Sequence, residues 1–369
     1  MPLPAPDEFR ELNQALALAL FDYLRKARSR GFVLSLSGGA DSSLCAVAVA
    51  EMVRLGVEEL GEAEFLRRSG CFDPATTAPL PPAGADATHT GPSAATPATN
   101  QALRAEHQAL TSRLLTCVYQ GTVNSSEATY ESAFELAQSL GARFVSWEID
   151  AEVAGYVGKI EQALDRNLTW ATDDLALQNI QARVRAPGIW LLSNVQNCLL
   201  LTTSNRSEAS VGYCTMDGDT AGSISPIAGV DKDFVKKWLR WAETELGYPA
   251  LRHVNALQPT AELRPLADKQ TDERDLMPYV LLNRIERLAF YDRLSPSQVL
   301  AKLDTEETGF DRDQLKAFVR RFYSLWSRNQ WKRERYAPSF HLDDYNVDPR
   351  SWLRFPILSG GFEEELAGL

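Results

Sequence analysis

No run of about 18 apolar residues occurs in this 369-residue chain, so no membrane-spanning helix is expected. Its start, Met1 to Phe9, is proline-rich and acidic, without the charged head and apolar middle of a secretory signal. Cysteine is scarce: Cys45, Cys71, Cys117, Cys198 and Cys214 are widely spaced, and no Cys-x-x-Cys or His-x-x-x-His pair accompanies them. A zinc centre therefore has little support, and scattered thiols suit a reducing cytoplasm. With four histidines (His89, His107, His253, His341), no Ser-His-Asp or Cys-His nucleophile set stands out. Positive charge is also short, 38 Lys and Arg against 49 Asp and Glu, a formal net charge of -11. That weighs against nucleic acid or an anionic membrane surface as partner, and still leaves room for a local basic pocket.

What is present is the make-up of an ordinary globular protein, 44% apolar and 24% charged. Residues 7–27 carry Leu12, Leu16, Leu20 and Leu24 at helical spacing. Gly31 opens a buried-strand run, Phe32 to Leu36, followed at once by Gly38-Gly39 and a long apolar helix ending at Gly56. Further strands are expected near 113–119, 143–149 and 198–203, with helices at about 125–140 and 174–195 between them. Such alternation predicts an α/β fold, a doubly wound parallel sheet with helices on both faces. Helices at 232–247, 274–290, 295–303 and 311–328 make the C-terminal region helical. Residues 73–100 are dominated by Pro, Ala, Thr and Gly and lack the apolar content to offset their ordering entropy. The expected organisation is a core of residues 1–58 and 112–300, an insertion over 59–111 that is partly disordered, and a helical extension over 301–369. A solvated insertion is the simpler reading; a lid or docking loop is the functional one.

The hexapeptide Ser37-Gly38-Gly39-Ala40-Asp41-Ser42 lies between the first strand and its helix. A helix N-terminus offers unpaired N–H groups and partial positive charge, and two glycines let backbone approach an anion. Ser37 and Ser42 add hydroxyl donors. Asp41 is out of place beside a phosphate unless Mg²⁺ bridges the two. No Gly-Lys-Ser/Thr follows, so this is not the loop of γ-phosphate transfer. The alternative is a plain Gly-Gly turn with Asp41 or Ser42 as cap. Further on, Thr202-Thr203 ends a strand where open α/β sheets place ligands. Glu208 is either a second metal carboxylate or a solvated glutamate at a helix start. Lys232 either faces phosphate or is merely solvated.

Ser-Gly-Gly-x-Asp-Ser resembles the pyrophosphate loop of the N-type ATP pyrophosphatases, which cleave ATP between its α- and β-phosphates. Together with Thr203-Ser204-Asn205-Arg206-Ser207-Glu208, Gly218-Asp219, Pro226 to Lys232 and Pro259 to Arg264, the chain is similar to NAD synthetases, above all to the synthetase portion of glutamine-dependent ones. The resemblance implies a ligase that amidates deamido-NAD through an acyl-adenylate, with ATP as co-substrate and Mg²⁺ as cofactor. It implies that Ser37, Gly38, Gly39, Asp41, Ser42, Thr203, Lys232 and Thr260 bind ATP, Asp41 and Glu208 hold Mg²⁺, and Asp41 and Lys232 act in catalysis. It assigns Arg183, Asp219 and Lys332 to deamido-NAD, the last bringing the C-terminal extension to the site. Met216 and Ser223 stand where single-domain synthetases carry a substrate-side lysine and aspartate. A homodimer is a family expectation. Because only about 36 residues precede the phosphate loop, a nitrilase-like glutaminase domain is not expected, and ammonia would come free or from a separate glutaminase chain. The rivals are another adenylating member, such as a tRNA thiolase or an amidotransferase synthetase subunit, and a non-catalytic nucleotide-binding regulator.

Overall fold

Spacing of four places Leu12, Leu16, Leu20 and Leu24 on one stripe of the first helix, α1 (Pro6–Ala27), and all four are buried. The chain is described by a computed structural model covering residues 6–70, 98–257, 262–265, 271–343, 346–351, 353–357 and 359–369. After α1 come β1 (Phe32–Ser35), α2 (Ala40–Leu60), α3 (Glu62–Ser69), α4 (Ala98–Leu114), β2 (Leu115–Gly121) and α5 (Glu127–Leu140). Then follow β3 (Arg143–Glu148), α6 (Asp150–Leu164), α7 (Trp170–Gln196), β4 (Leu199–Leu201), α8 (Arg206–Val211), α9 (Lys232–Glu245) and α10 (Leu251–Ala256).

The four strands are parallel in the order β3-β2-β1-β4. Side chains alternate across the sheet as the pleat requires. Phe32 and Leu34 of β1, Cys117 of β2 and Leu201 of β4 join a core with α1, α2, α5 and α9, whereas Val33, Val118 and Leu200 meet Ile189 of α7 on the other face. Helices therefore cover both faces, and the expected doubly wound architecture is present. The chain turns one way from β1 to β2 and the other way to β4. The crevice beyond the C-terminal ends of β1 and β4 is the topological switch point, where this architecture holds ligands.

A second layer follows: α11 (Asp272–Asp275), α12 (Tyr279–Glu286) running on into a π-helical turn at Arg287–Tyr291, α13 (Pro296–Leu303), α14 (Arg312–Arg328), α15 (Gln330–Arg333) and α16 (Glu363–Gly368). Its own core includes Leu282, Ile285, Leu303, Phe322 and Tyr323, and also Ala209 and Val211 of α8. The short helix α8 thus lies between the two layers. Among the described residues no helix is long and apolar enough to cross a membrane.

Of the expected insertion over 59–111, the described ends are helical and built into the first core. Phe65 of α3 stacks on Phe21 at 5.5 Å, and Leu110 and Leu114 of α4 are buried. A mostly polar helix hides these contacts from a composition scan. Residues 71–97 lie outside the described residues.

Candidate active site

The loop between β1 and α2 is tied by its own hydroxyls. Ser37 N–H donates to Ser42 Oγ at 3.2 Å, and Ser42 and Ser43 Oγ donate to Gly39 O at 3.2 and 2.7 Å. Gly38 has φ +82°, and a Cβ there would lie 2.1 Å from Thr129 O, so the loop is wedged against the first turn of α5. Ser132 Oγ donates to Gly38 O at 3.0 Å from the same helix. Gly39, the N-cap of α2, has no side chain to accept from the first-turn N–H groups, which keep the anion-binding character of a helix start.

Three distant segments meet at this loop. Asp41 lies in the first turn of α2, Glu208 in the first turn of α8, and Lys232 is the first residue of α9. The Lys232 ammonium, only 4% exposed, bonds Asp41 Oδ2 and reaches Glu208 Oε1 at 3.4 Å. Asn205 links the two carboxylate helices: its Oδ1 accepts from Glu208 N at 3.0 Å while its Nδ2 donates to Asp41 Oδ1 at 3.1 Å. A glutamate and a cation at two helix starts are thus joined to an aspartate beside the phosphate loop.

Two carboxylates facing one cation beside a phosphate loop fit Mg²⁺, which takes one or two protein carboxylates and completes its shell with water and phosphate oxygens. Among the described residues no group of three or more His, Cys, Asp or Glu could form a closed metal cage. The donor set therefore suits a cation that arrives with a phosphate.

The cavity over this loop measures about 290 Å³, and Ser37, Gly39, Asp41, Ser42, Thr203, Glu208, Lys232 and Asp219 all line it. Gly38 supplies backbone geometry. Thr260 lies outside the described residues. Two expected substrate residues are not among those lining it, although Lys332 is near enough to Asp219 to lower its carboxyl pKa. Arg183 is exposed, its Nε donating to Met216 O at 3.0 Å. Lys332 donates to Gly212 O and Cys214 O, both at 2.9 Å, behind α8.

Two arginines line the cavity wall, Arg240 and Arg185, the latter two residues on from Arg183. Helical neighbours two apart point to nearly opposite faces, so only one of the pair can look inward. Arg185 Nε donates to Gln120 O at 3.3 Å, and Gln120 Nε2 returns a bond to Arg185 O at 2.9 Å. Asp219 opens onto the cavity floor and accepts from Thr215 N at 2.6 Å. The protein packed around it pushes its carboxyl pKa up, although its surface faces the cavity; Thr215 N–H and Arg185 act against that rise. Glu262 also lines the cavity and caps α5, accepting from Ser126 Oγ at 2.8 Å and Thr129 Oγ1 at 3.0 Å. Its position in Pro259 to Arg264 was a signal available in the sequence; the phase of Arg185 was not.

Residues 99–335 match the NAD synthase family. The glutamine-dependent NAD(+) synthetase of Oryza sativa subsp. indica is 31% identical over 347 residues, covering 89% of this chain and 44% of the relative. The Homo sapiens glutamine-dependent NAD(+) synthetase is 28% identical over 385 residues, 96% of this chain and 49% of that protein. The crystal structure of a glutamine-dependent NAD(+) synthetase from Cytophaga hutchinsonii superposes with a TM-score of 0.82 at 50% identity, over 98% of this chain and 56% of that one. The chain spans about half the length of the curated relatives it matches.

Proposed function

Because this chain belongs to the NAD synthase family, we propose that it amidates the nicotinate carboxyl of deamido-NAD with ammonia, converting ATP to AMP and pyrophosphate. The observation that carries the reading is the meeting of Asp41, Glu208 and Lys232 at the phosphate loop. In the first step a carboxylate oxygen of deamido-NAD attacks the α-phosphorus, the bond to the β-phosphate oxygen breaks, and pyrophosphate leaves. Ammonia then attacks the acyl carbon, the bond to the AMP oxygen breaks, and the ammonia nitrogen gives up a proton. Ser37, Ser42 and the loop N–H groups hold phosphate oxygens, and Lys232 offsets their charge. Asp41 and Glu208 would hold Mg²⁺, which when bound supplies charge neutralisation on the phosphates. Thr203 and Thr260 complete the ATP side. Arg185 and Asp219 face the carboxylate being amidated, while Arg183 and Lys332 act on the backbone around Met216 and Cys214. The test is product analysis with Mg·ATP, deamido-NAD and ammonium: AMP and pyrophosphate are expected to match NAD formed, and ADP with orthophosphate would overturn the reading.

Nitrogen is proposed to reach this site as ammonia, either free or released by a glutaminase. Cys45 and Cys117 are buried, with thiols pushed far up by burial, and burial raises Cys214 to about 12. Cys198 donates its Sγ–H to Gln196 O at 3.6 Å, at the end of β4 away from the cavity. Burial holds Cys45, Cys117 and Cys214 away from the thiolate form that glutamine hydrolysis requires. Thiols outside disulfides at Cys45, Cys117 and Cys214 also fit a cytoplasmic location.

The reading extends to a homodimer. Tyr156, Ile160 and Leu164 form an exposed stripe on α6, and Leu191 and Val195 are exposed on α7. Exposed apolar rows at four-residue spacing are what a self-complementary helical interface presents. Ile160→Glu is expected to halve the mass seen by sedimentation equilibrium. A monomeric parent chain would remove the dimer.

A further inference from the structure

Helix α8 has six residues, too few to hold its own direction in water, yet it delivers Glu208. Its placement is imposed from the second layer. At its start, Ser207 Oγ donates to Asn283 Oδ1 at 2.6 Å, and Asn283 Nδ2 donates to Asp231 Oδ1 at 2.8 Å. Lys232 N donates in turn to Ser207 Oγ at 3.0 Å, so one asparagine of α12 ties the starts of α8 and α9 together. The other end is held more fully. Asn329 Nδ2 donates to Val211 O at 2.8 Å, Arg333 Nη1 donates to Ser210 O at 2.7 Å, and Lys332 takes Gly212 O and Cys214 O. The carbonyls a helix leaves unpaired at its C-terminus are thereby claimed by side chains more than a hundred residues away in sequence.

Arg333 is the unusual member. It is 1% exposed, and among the described residues it forms no ion pair with a carboxylate. Its remaining bonds go to Ala209 O at 3.4 Å, to Trp326 O at 2.5 Å, and from both Nε and Nη2 to Gln330 Oε1 at 3.0 and 2.8 Å. Burying a guanidinium against carbonyls alone is a poor route to stability, since desolvation of the charge is not offset by a counter-ion. The negative end of α8 favours it there, as does the negative charge of Glu334.

We infer that Arg333, helped by Lys332, is a positioning residue that sets the reach of Glu208 toward Asp41 and the ATP phosphates. The inference rests on the reaction proposed above. A glutamate in the first turn of a helix moves with that helix, and a misplacement of about 1 Å at a reacting centre costs on the order of 10²-fold in rate. Groups that orient a metal-holding carboxylate change metal affinity by about 10- to 100-fold when removed.

The test uses Arg333→Met, which keeps bulk and removes the fork, with Arg333→Lys, which keeps charge and loses the fork. The control is Leu303→Ala, a cavity on α13 in the same core, with no bond to the α8 carbonyls. Three quantities are read: melting temperature, the Mg²⁺ concentration giving half-maximal rate, and Mn²⁺ binding with ATP followed by electron paramagnetic resonance without turnover. Arg333→Met is expected to weaken Mn²⁺ binding and raise half-activating Mg²⁺ about tenfold, with the KM for deamido-NAD little changed. Leu303→Ala should lower the melting temperature and leave metal dependence alone. Equal Mn²⁺ binding in parent and Arg333→Met overturns the inference. If Arg333→Met does not fold, Arg333→Lys is read the same way, and unchanged metal binding there overturns it. A chain that binds Mn·ATP but forms no NAD fails the proposed reaction and not the positioning role.

Discussion

Asp41→Asn is expected to lower the rate of NAD formation by about two orders of magnitude or more, because one preorganised charge contact at a transition state is worth that much. The substitution is nearly isosteric. Asn205 Nδ2 can still donate to the remaining oxygen at position 41, and the loop hydroxyls at Ser37, Ser42 and Ser43 do not depend on the carboxylate. The variant gives up the ion pair to buried Lys232, which keeps Glu208 at 3.4 Å, so melting temperature should fall somewhat while turnover falls far more. The measurement is steady-state kcat at saturating Mg²⁺ and ATP. Parental turnover in this variant would remove Asp41 from the reaction.

Gly38→Ala should be comparably damaging, for a backbone reason. At φ +82° an L-residue is strained, and the added Cβ would meet Thr129 O at 2.1 Å. That oxygen is backbone at the start of α5, so it cannot rotate away; the loop or the helix must shift. Strain and overpacking together destabilise by at least about 2 kcal/mol, and the displaced loop should lose ATP affinity about a hundredfold. Gly39→Ala is the internal comparison. Its backbone sits at φ -86°, and its new Cβ would come no closer than 3.4 Å to anything, there the Ser37 Oγ. Isothermal titration with ATP and thermal melts of the two variants should separate clearly; equal behaviour would mean that the wedge against α5 has no role.

How much of this was readable beforehand depends on how local each signal is. The phosphate loop is contiguous, and its strand, glycines and helix start are all written within about a dozen residues. Glu208 and Lys232 each sit at a helix start, which is also a local pattern. Their convergence on Asp41 is not local, since it follows from β4 pairing with β1 and from Asn205 reaching across. Arg185 escaped because α7 carries a non-helical Asp173 and an internal Pro187, so its inward phase cannot be counted from its start. The ends of the 59–111 span escaped because two or three buried residues per helix are enough to dock α3 and α4. Lys332 was placed at the substrate by resemblance, while its bonds to Gly212 and Cys214 depend wholly on how the second layer packs.

The double fastening of α8 has a consequence for the order in which the chain is made. The phosphate loop, the sheet and Lys232 are all translated before residue 250, but the groups that hold the far end of α8 arrive only with Asn329, Lys332 and Arg333. At about 5–20 residues per second, the roughly 125 residues between Glu208 and Arg333 occupy the ribosome for about 6–25 seconds. During that interval a nascent chain can form its nucleotide crevice while Glu208 still lacks its fixed bearing. Assembly of the metal side of the site thus waits for the synthesis of residues 329–333, and a chain interrupted before Asn329 would hold a folded sheet with an unaligned carboxylate.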